Sequence, residues 1–172
     1  HKWVWNKKQS GSFACARFMP LQIEEDIVVF CKSKVNYYPI MRKGILRIKG
    51  GCKRGNESHS GLGIGYKTKN DYYYPVNIID IANKRIGNIH PTQKPVALFE
   101  YLQLTYTNEE DTILDNCSGS GTSAVAADNI GRNWICIEKD PSYVAISKKR
   151  INENRIRLNS SLLEKFDLPL LD

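Results

Sequence analysis

Eight consecutive residues, Asp115-Asn116-Cys117-Ser118-Gly119-Ser120-Gly121-Thr122, followed further along by Glu138, have the types and spacing to cradle a nucleotide. Glycine lacks a Cβ, so the backbone N–H groups of such a turn come close to a ligand, and an acid beyond the next strand accepts hydrogen bonds from ribose hydroxyls. Gly119-Ser120-Gly121-Thr122-Ser123-Ala124 fits the loose G-x-G-x-x-G/A dinucleotide pattern. No lysine follows the last glycine, so it is not a Walker loop. A tight strand-to-helix turn without a ligand is the plain alternative.

For these groups to meet, a strand must enter the turn, a helix must leave it, and a second strand must end at Glu138. Thr112 to Leu114 is an apolar, strand-like run, Ser123 to Ile130 is a helix of small residues, and Asn133 to Ile137 is the second strand. Gly131 is placed to stop the helix. Pro141 opens another helix, with Tyr143, Val144, Ala145, Ile146 and Ile151 as apolar positions and Lys148, Lys149, Arg150 and Arg155 in its last turns. Upstream, Val96, Ala97, Phe99, Leu102 and Leu104 fit a helix of about three turns that starts at Pro95.

Only that helix and an apolar, acidic tail from Ser160 follow the unit, so any remaining strands lie on its N-terminal side. Trp3 to Trp5 alternates with its neighbours as a strand does, and Glu25 to Lys32 reads as a buried strand. A turn at Ser10-Gly11-Ser12 between them predicts two antiparallel strands at a sheet edge. Residues 33–89 differ in texture, with many glycines and short apolar pairs. They read as an irregular insertion in which Ile45 to Ile48 is a short strand and Ser60 to Tyr66 is too glycine-rich for a helix.

At 172 residues the chain holds one domain's worth of core. No apolar run reaches the roughly 20 residues that span a bilayer, and no charged-then-apolar leader is seen. The five cysteines, Cys15, Cys31, Cys52, Cys117 and Cys136, are scattered and never form a C-x-x-C pair. That argues against a disulfide framework or a zinc site and for a reducing, cytoplasmic setting. The formal net charge is +7, and between Lys32 and Lys69 only Glu57 opposes ten lysines and arginines. Tyrosines interleave with these cations, as on a surface that faces a polyphosphate. The bland reading is a solvated loop whose lysines keep the protein soluble.

Several runs occur in a telling order: Trp3-Val4-Trp5-Asn6-Lys7, Glu24 through Lys32, a basic insertion, His90-Pro91-Thr92-Gln93-Lys94-Pro95, Asp115 through Thr122, and Ile137-Glu138-Lys139-Asp140. This series resembles the amino-group DNA methyltransferases that modify adenine N6 or cytosine N4, in the permuted, beta-type subclass with its cofactor motifs late in the chain. The resemblance spans roughly residues 1 to 156, and the HPTQKP run is its most specific part. Where the family usually has D-P-F-x-G-S-G-T, this chain has Asn116 and Cys117 in place of the proline and phenylalanine.

The resemblance implies an α/β fold with a Rossmann-like methyltransferase sheet, incomplete in this chain, interrupted by the irregular basic insertion. Residues 1–32 would supply sheet-edge strands, 33–89 the target-recognition insertion, 90–157 the cofactor half and 158–172 a tail. S-adenosylmethionine is the implied cofactor, held by His90, Thr92, Gln93, Lys94, Asp115, Cys117, Gly119, Ser120, Gly121, Thr122, Glu138 and Lys139. Double-stranded DNA is the implied partner, gripped by Arg42, Lys43, Arg47, Lys49, Lys53 and Arg54. The lysines would hold phosphate, and the arginines, with bidentate geometry, would be the better base readers. Trp5 is either a core residue or part of a pocket for an extruded base.

Such enzymes carry a (D/N/S)-P-P-(Y/F/W) tetrapeptide that hydrogen-bonds the target amine and stacks on the flipped base. Residues 1–172 contain no such string, and Tyr38-Pro39 and Tyr74-Pro75 are the nearest to it. In the permuted subclass the tetrapeptide precedes everything seen here, and the chain opens on His1. The resemblance therefore implies the C-terminal part of a longer enzyme, inactive alone, with the catalytic motif in a preceding half or a partner chain. Without the tetrapeptide the residues do not separate adenine from cytosine. Two other classes remain: a non-catalytic DNA-binding remnant and a nucleotide-dependent oxidoreductase.

Overall fold

A computed structural model describes residues 1–10, 13–49, 68–83 and 93–166. Trp3 and Trp5 alternate inward along β1 (Lys2–Asn6) and are 4% and 1% exposed. They seed the larger of two cores, with Ile79 and Leu98. β1 is the middle strand of three: β2 (Glu24–Val28) runs antiparallel on one side, with Trp3 opposite Ile27, and β5 (Ile78–Asp80) runs parallel on the other, with Trp5 opposite Ile79. Helix α1 (Val96–Tyr106) covers this sheet through Leu98, Tyr101, Leu102 and Tyr106. The indole N–H groups buried with these rings find acceptors, Trp3 in the Tyr106 hydroxyl and Trp5 in the Ile81 carbonyl.

The antiparallel β1–β2 pairing agrees with the sequence, but β2 is not a buried strand. Among the described residues one of its faces, through Ile27 and then Val29, packs on the Trp3–Trp5 core, while Val28 and, just beyond the strand, Phe30 on the other face remain exposed. Strand β5 is not visible in the sequence because three residues carry no usable period. Pro95 stands at the N-cap position just before α1 instead of in its first turn, and it makes no side-chain capping bond. The buried positions of α1 include Gln103 and Thr105, because the helix packs on two sides. Gln103 donates to the Ser123 carbonyl and hydroxyl on the neighbouring helix, and Thr105 returns its hydroxyl proton to the Tyr101 carbonyl.

The second core belongs to a β-α-β unit. β6 (Thr112–Asp115) and β7 (Asn133–Cys136) pair in parallel with Asp115 opposite Cys136, and α2 (Thr122–Asn129) connects them. The alanines of α2 let it sit close: Ala124, Ala126 and Ala127 are fully buried, and Val125 packs with Ile151 of α3 (Pro141–Phe166). Gly131, at φ 68°, stops α2 as its position predicts. Asp140 caps α3 by accepting from the Ser142 N–H at 2.8 Å. Arg155 of α3 grips Asp128 of α2 at 2.6 Å, and Trp134 of β7 donates to the same carboxylate, which ties three elements together.

Among the described residues, β6 and β7 form a pair of their own, separate from the β2-β1-β5 sheet. Helix α3 continues past Ser160 to Phe166. The chain divides into two compact units, His1–Tyr38 with Asn77–Asp172, and Pro39–Val76. In the second, β3 (Arg42–Lys49) and β4 (Thr68–Tyr73) form an antiparallel pair. Strand β3 is longer than Ile45–Ile48, and β4 is too polar to show in the sequence. The expected turn at Gly11-Ser12 and the run Ser60 to Tyr66 lie outside the described residues. No helix among the described residues is long and apolar enough to cross a membrane.

Candidate functional site

The turn after β6 is held by backbone N–H groups bonded to both side chains and carbonyls. Asp115 accepts from the Cys117 N–H at 3.1 Å, which bends the chain off the strand. The Ser118 N–H then reaches across to the Ile137 carbonyl at 3.0 Å, adding a rung beyond the parallel ladder. Gly119 (φ 49°) and Gly121 (φ 75°) are both left-handed, a conformation glycine adopts without steric cost. At Gly121 a side chain is doubly excluded, because a Cβ would lie 2.9 Å from the Ser147 Cβ of α3. Gly121 stands at the N-cap of α2, so the helix begins without a side-chain cap.

Glu138 closes this turn. Its Oε2 accepts from the Gly119 N–H at 2.8 Å and its Oε1 from the Asp140 N–H at 3.0 Å. These backbone donors, Asp140 first and Gly119 next, hold its carboxyl below the ordinary glutamate range. Lys139 between them is exposed.

On the other flank, Gln93 and Lys94 stand beside the turn. The Ser120 hydroxyl donates to Gln93 Oε1 at 3.1 Å. Lys94 Nζ lies 2.6 Å from Glu25 Oε2 and 5.4 Å from the centre of the Trp5 ring, and Lys7 approaches the other Glu25 oxygen at 3.3 Å. Partial burial works against the charge of Glu25, but the ammonium groups of Lys94 and Lys7 outweigh it and lower its pKa. A cleft of ≈ 100 Å³ is walled by Gln93, Lys94, Asp115, Cys117, Ser118, Gly119 and Ser120, with Phe99 and Thr122 completing it. The sequence pattern marks Phe99 only as a helix-face residue. Glu138 stands outside this lining, so the turn has a cleft on one flank and a carboxylate on the other.

Arg150 does not lie where its sequence pattern places it. A basic residue in the last turns of a helix suits the macrodipole, but α3 runs sixteen residues further, so Arg150 lies mid-helix. It is half-buried, and its Nη1 donates to the Ser120 carbonyl (3.1 Å), the Ser120 hydroxyl (3.1 Å) and the Thr122 hydroxyl (2.9 Å). A larger groove of ≈ 590 Å³ lies between α1, α2 and α3. A hydrogen-bonded chain, Glu100–Asn129–Asn154–Arg157, runs along it, and Arg150, which bonds to Ser120 and Thr122, is part of its lining.

In the second unit, Arg42 donates to the Tyr74 carbonyl through Nε (3.4 Å) and Nη2 (3.3 Å), and Arg47 lies 5.5 Å over the Tyr73 ring. Lys43 pairs opposite Tyr72, and Lys49 opposite Thr68. His90, Thr92, Lys53 and Arg54 lie outside the described residues. Trp5 is a core residue. Among the described residues, no group of three or more His, Cys, Asp or Glu is placed to hold a metal ion.

A parallel β-α-β unit with a left-handed glycine turn and an acid at the end of its second strand defines the Rossmann-like class of nucleotide-cofactor proteins. Within that class the chain belongs to the N6/N4 DNA methylase family, whose model matches residues 1–149. The chain is 47% identical over 64 residues to the type II methyltransferase M2.LlaDCHI of Lactococcus lactis subsp. cremoris, an alignment covering 37% of this chain and 24% of that enzyme. It is 44% identical over 64 residues to M2.MboI of Moraxella bovis, covering 37% of this chain and 23% of that one. The crystal structure of the M1.HpyAVI–SAM complex superposes with a TM-score of 0.58 at 27% identity, over 88% of this chain and 61% of that one. The chain thus matches about a quarter of the length of these curated relatives.

Proposed function

We propose that residues 1–172 form the cofactor-binding and target-recognition part of an enzyme that transfers methyl from S-adenosylmethionine to an exocyclic amine of DNA, adenine N6 or cytosine N4. The observation that carries this reading is the Glu138 carboxylate seated on the Gly119 N–H at the end of a parallel β-α-β unit. Each Glu138 oxygen takes one backbone N–H and keeps a lone pair for a ribose hydroxyl, so the residues present fit the cofactor. Gly119, Ser120, Gly121 and Thr122 let the ligand approach backbone. Asp115 and Cys117 form a wall, with Lys139 next to the acid. His90, Thr92, Gln93 and Lys94 serve the methionine end, where Lys94 acts as a donor shared with Glu25. When bound, S-adenosylmethionine supplies a methyl group made electrophilic by its sulfonium. The cleft of ≈ 100 Å³ takes only one end of such a molecule.

On this reading, the amine-binding tetrapeptide comes from polypeptide outside residues 1–172, in the same chain or a partner, as in the permuted arrangement. The β6–β7 pair supports this. Parallel sheets are normally covered on both faces, yet Leu114, Ile135 and Ile137 on the face away from α2 are 64%, 54% and 54% exposed. DNA is the second ligand, held through Arg42, Lys43, Arg47, Lys49, Lys53 and Arg54. Calorimetry of this chain against S-adenosylmethionine and NADH tests the reading, together with transfer of labelled methyl to DNA. Saturable S-adenosylmethionine binding, no NADH binding and no methyl transfer are expected. Preference for NADH sinks the cofactor assignment, and full methyl transfer by this chain sinks the missing-motif assignment.

A further inference from the structure

The hairpin of the second unit carries an irregularity that its basic composition does not explain. Lys43 pairs with Tyr72 and Arg47 with Asn70, so Gly44, Ile45 and Leu46 stand opposite the single residue Asp71. The bulge is held in place: the Tyr73 hydroxyl lies 2.9 Å from the Ile45 carbonyl and 3.1 Å from the Asn70 carbonyl. The Tyr73 ring packs so closely on Gly44 that a Cβ there would come within 2.9 Å of two ring carbons. Arg47 stacks on the same ring. One tyrosine thus fixes the path of the bulge and the place of the cation after it.

The bulge displays two apolar side chains, Ile45 at 83% and Leu46 at 55% exposure. They are flanked by Arg42 and Lys43 before and Arg47 after. Over β3 and β4 there are five basic residues and one acid, Asp71. Bulges re-aim side chains and recur beside functional sites. An exposed aliphatic pair inside a cationic rim suits a polyanion whose charged backbone encloses apolar surface, which duplex DNA does in its grooves.

We propose that Ile45 and Leu46 are a wedge that contacts bases in a DNA groove while Arg42, Lys43 and Arg47 hold the flanking phosphates, an inference that rests on the DNA reading above. Phosphate contacts and apolar base contacts leave different signatures. A lost phosphate contact lowers the salt dependence of binding by about one unit of the log–log slope, whereas a lost apolar contact weakens binding at every salt concentration and leaves the slope alone.

The test is fluorescence anisotropy of the 172-residue chain with a labelled mixed-sequence duplex across a salt series. The double variant Ile45→Ser/Leu46→Ser changes exposed positions only, and is expected to bind about tenfold more weakly with an unchanged slope. Arg47→Ala is expected to reduce the slope by about 1. Tyr73→Phe, which frees the bulge carbonyl, is expected to weaken binding with the slope kept. Wild-type affinity in the double variant overturns the wedge and leaves the DNA reading standing, as does a fall in its slope. Absence of salt-dependent DNA binding by the unaltered chain overturns both.

Discussion

Glu138 and Gly119, nineteen residues apart in sequence, are joined by a 2.8 Å hydrogen bond from backbone N–H to carboxylate. The bond makes one acid both a brace for the turn and an acceptor beside it. Glu138→Gln leaves the side chain's size unchanged but turns an amide NH2 toward a backbone donor. This variant is expected to weaken S-adenosylmethionine binding about tenfold or more, and Glu138→Ala further still. Calorimetry reads the affinity and circular dichroism the fold, which is expected to hold because the residue sits at the surface. Undiminished affinity in both variants would remove Glu138 from the site.

The same bond sets a pH dependence. Glu138 has a folded pKa below its ordinary value of about 4.3. Asp140 is lowered likewise, by the Ser142 hydroxyl and then the Ser142 N–H. A carboxylate with a depressed folded pKa contributes stability that is fully present above the unfolded pKa and is lost as pH falls through the folded one. The Gly119 amide resonance is therefore expected to stay constant from neutral pH to the ordinary carboxylate range and to move only below about 4.3. A midpoint at or above that value would show that the turn does not hold the carboxylate.

Much of this site is legible in the sequence because its constraints are local. Two left-handed glycines, an acid one strand later and Gly131 at a helix stop need no knowledge of the rest of the fold. What the sequence pattern does not show depends on contacts between distant segments. Gln103 and Thr105 are buried because α1 is covered on two sides, which a one-face helical pattern does not encode. β5 is three residues long and exists by pairing with β1. Phe30 is apolar yet exposed, because the core takes the alternate positions Ile27 and Val29 and leaves the face of Val28 and Phe30 uncovered among the described residues. The pattern places Arg150 near a helix end because no stop signal marks how far α3 extends.

The glycines separate two physical costs. Gly131 and Gly121 share a left-handed backbone, but a Cβ at Gly131 meets nothing within 4 Å, whereas one at Gly121 meets Ser147 at 2.9 Å and Ile151 at 3.4 Å. Gly131→Ala is expected to lose about 1–2 kcal/mol, the cost of the conformation alone. Gly121→Ala adds overpacking against α3, for a total of roughly 2–5 kcal/mol. Urea denaturation of the two variants measures the difference directly, and equal losses would mean that α3 does not press on the turn.

Arg150 offers the sharpest test of how α3 serves the turn. One nitrogen, with two hydrogens, lies within hydrogen-bond reach of a carbonyl and two hydroxyls, and none of the three acceptors is a carboxylate. Burial lowers its pKa, yet a guanidinium stays charged at neutral pH. Its removal takes a charged donor from Ser120 and Thr122 without leaving an unpaired acid. Arg150→Met is expected to cost about 1.5–3 kcal/mol of stability. It is also expected to speed hydrogen exchange at the Ser118–Thr122 amides and to raise the dissociation constant for S-adenosylmethionine. Arg150→Lys keeps the charge without the planar fork and is expected to fall between. A purely structural arginine would lower stability and leave ligand affinity, measured well below the melting temperature, unchanged. If Arg150→Met binds the cofactor as tightly as the unaltered chain while the turn amides exchange no faster, α3 does not position the turn.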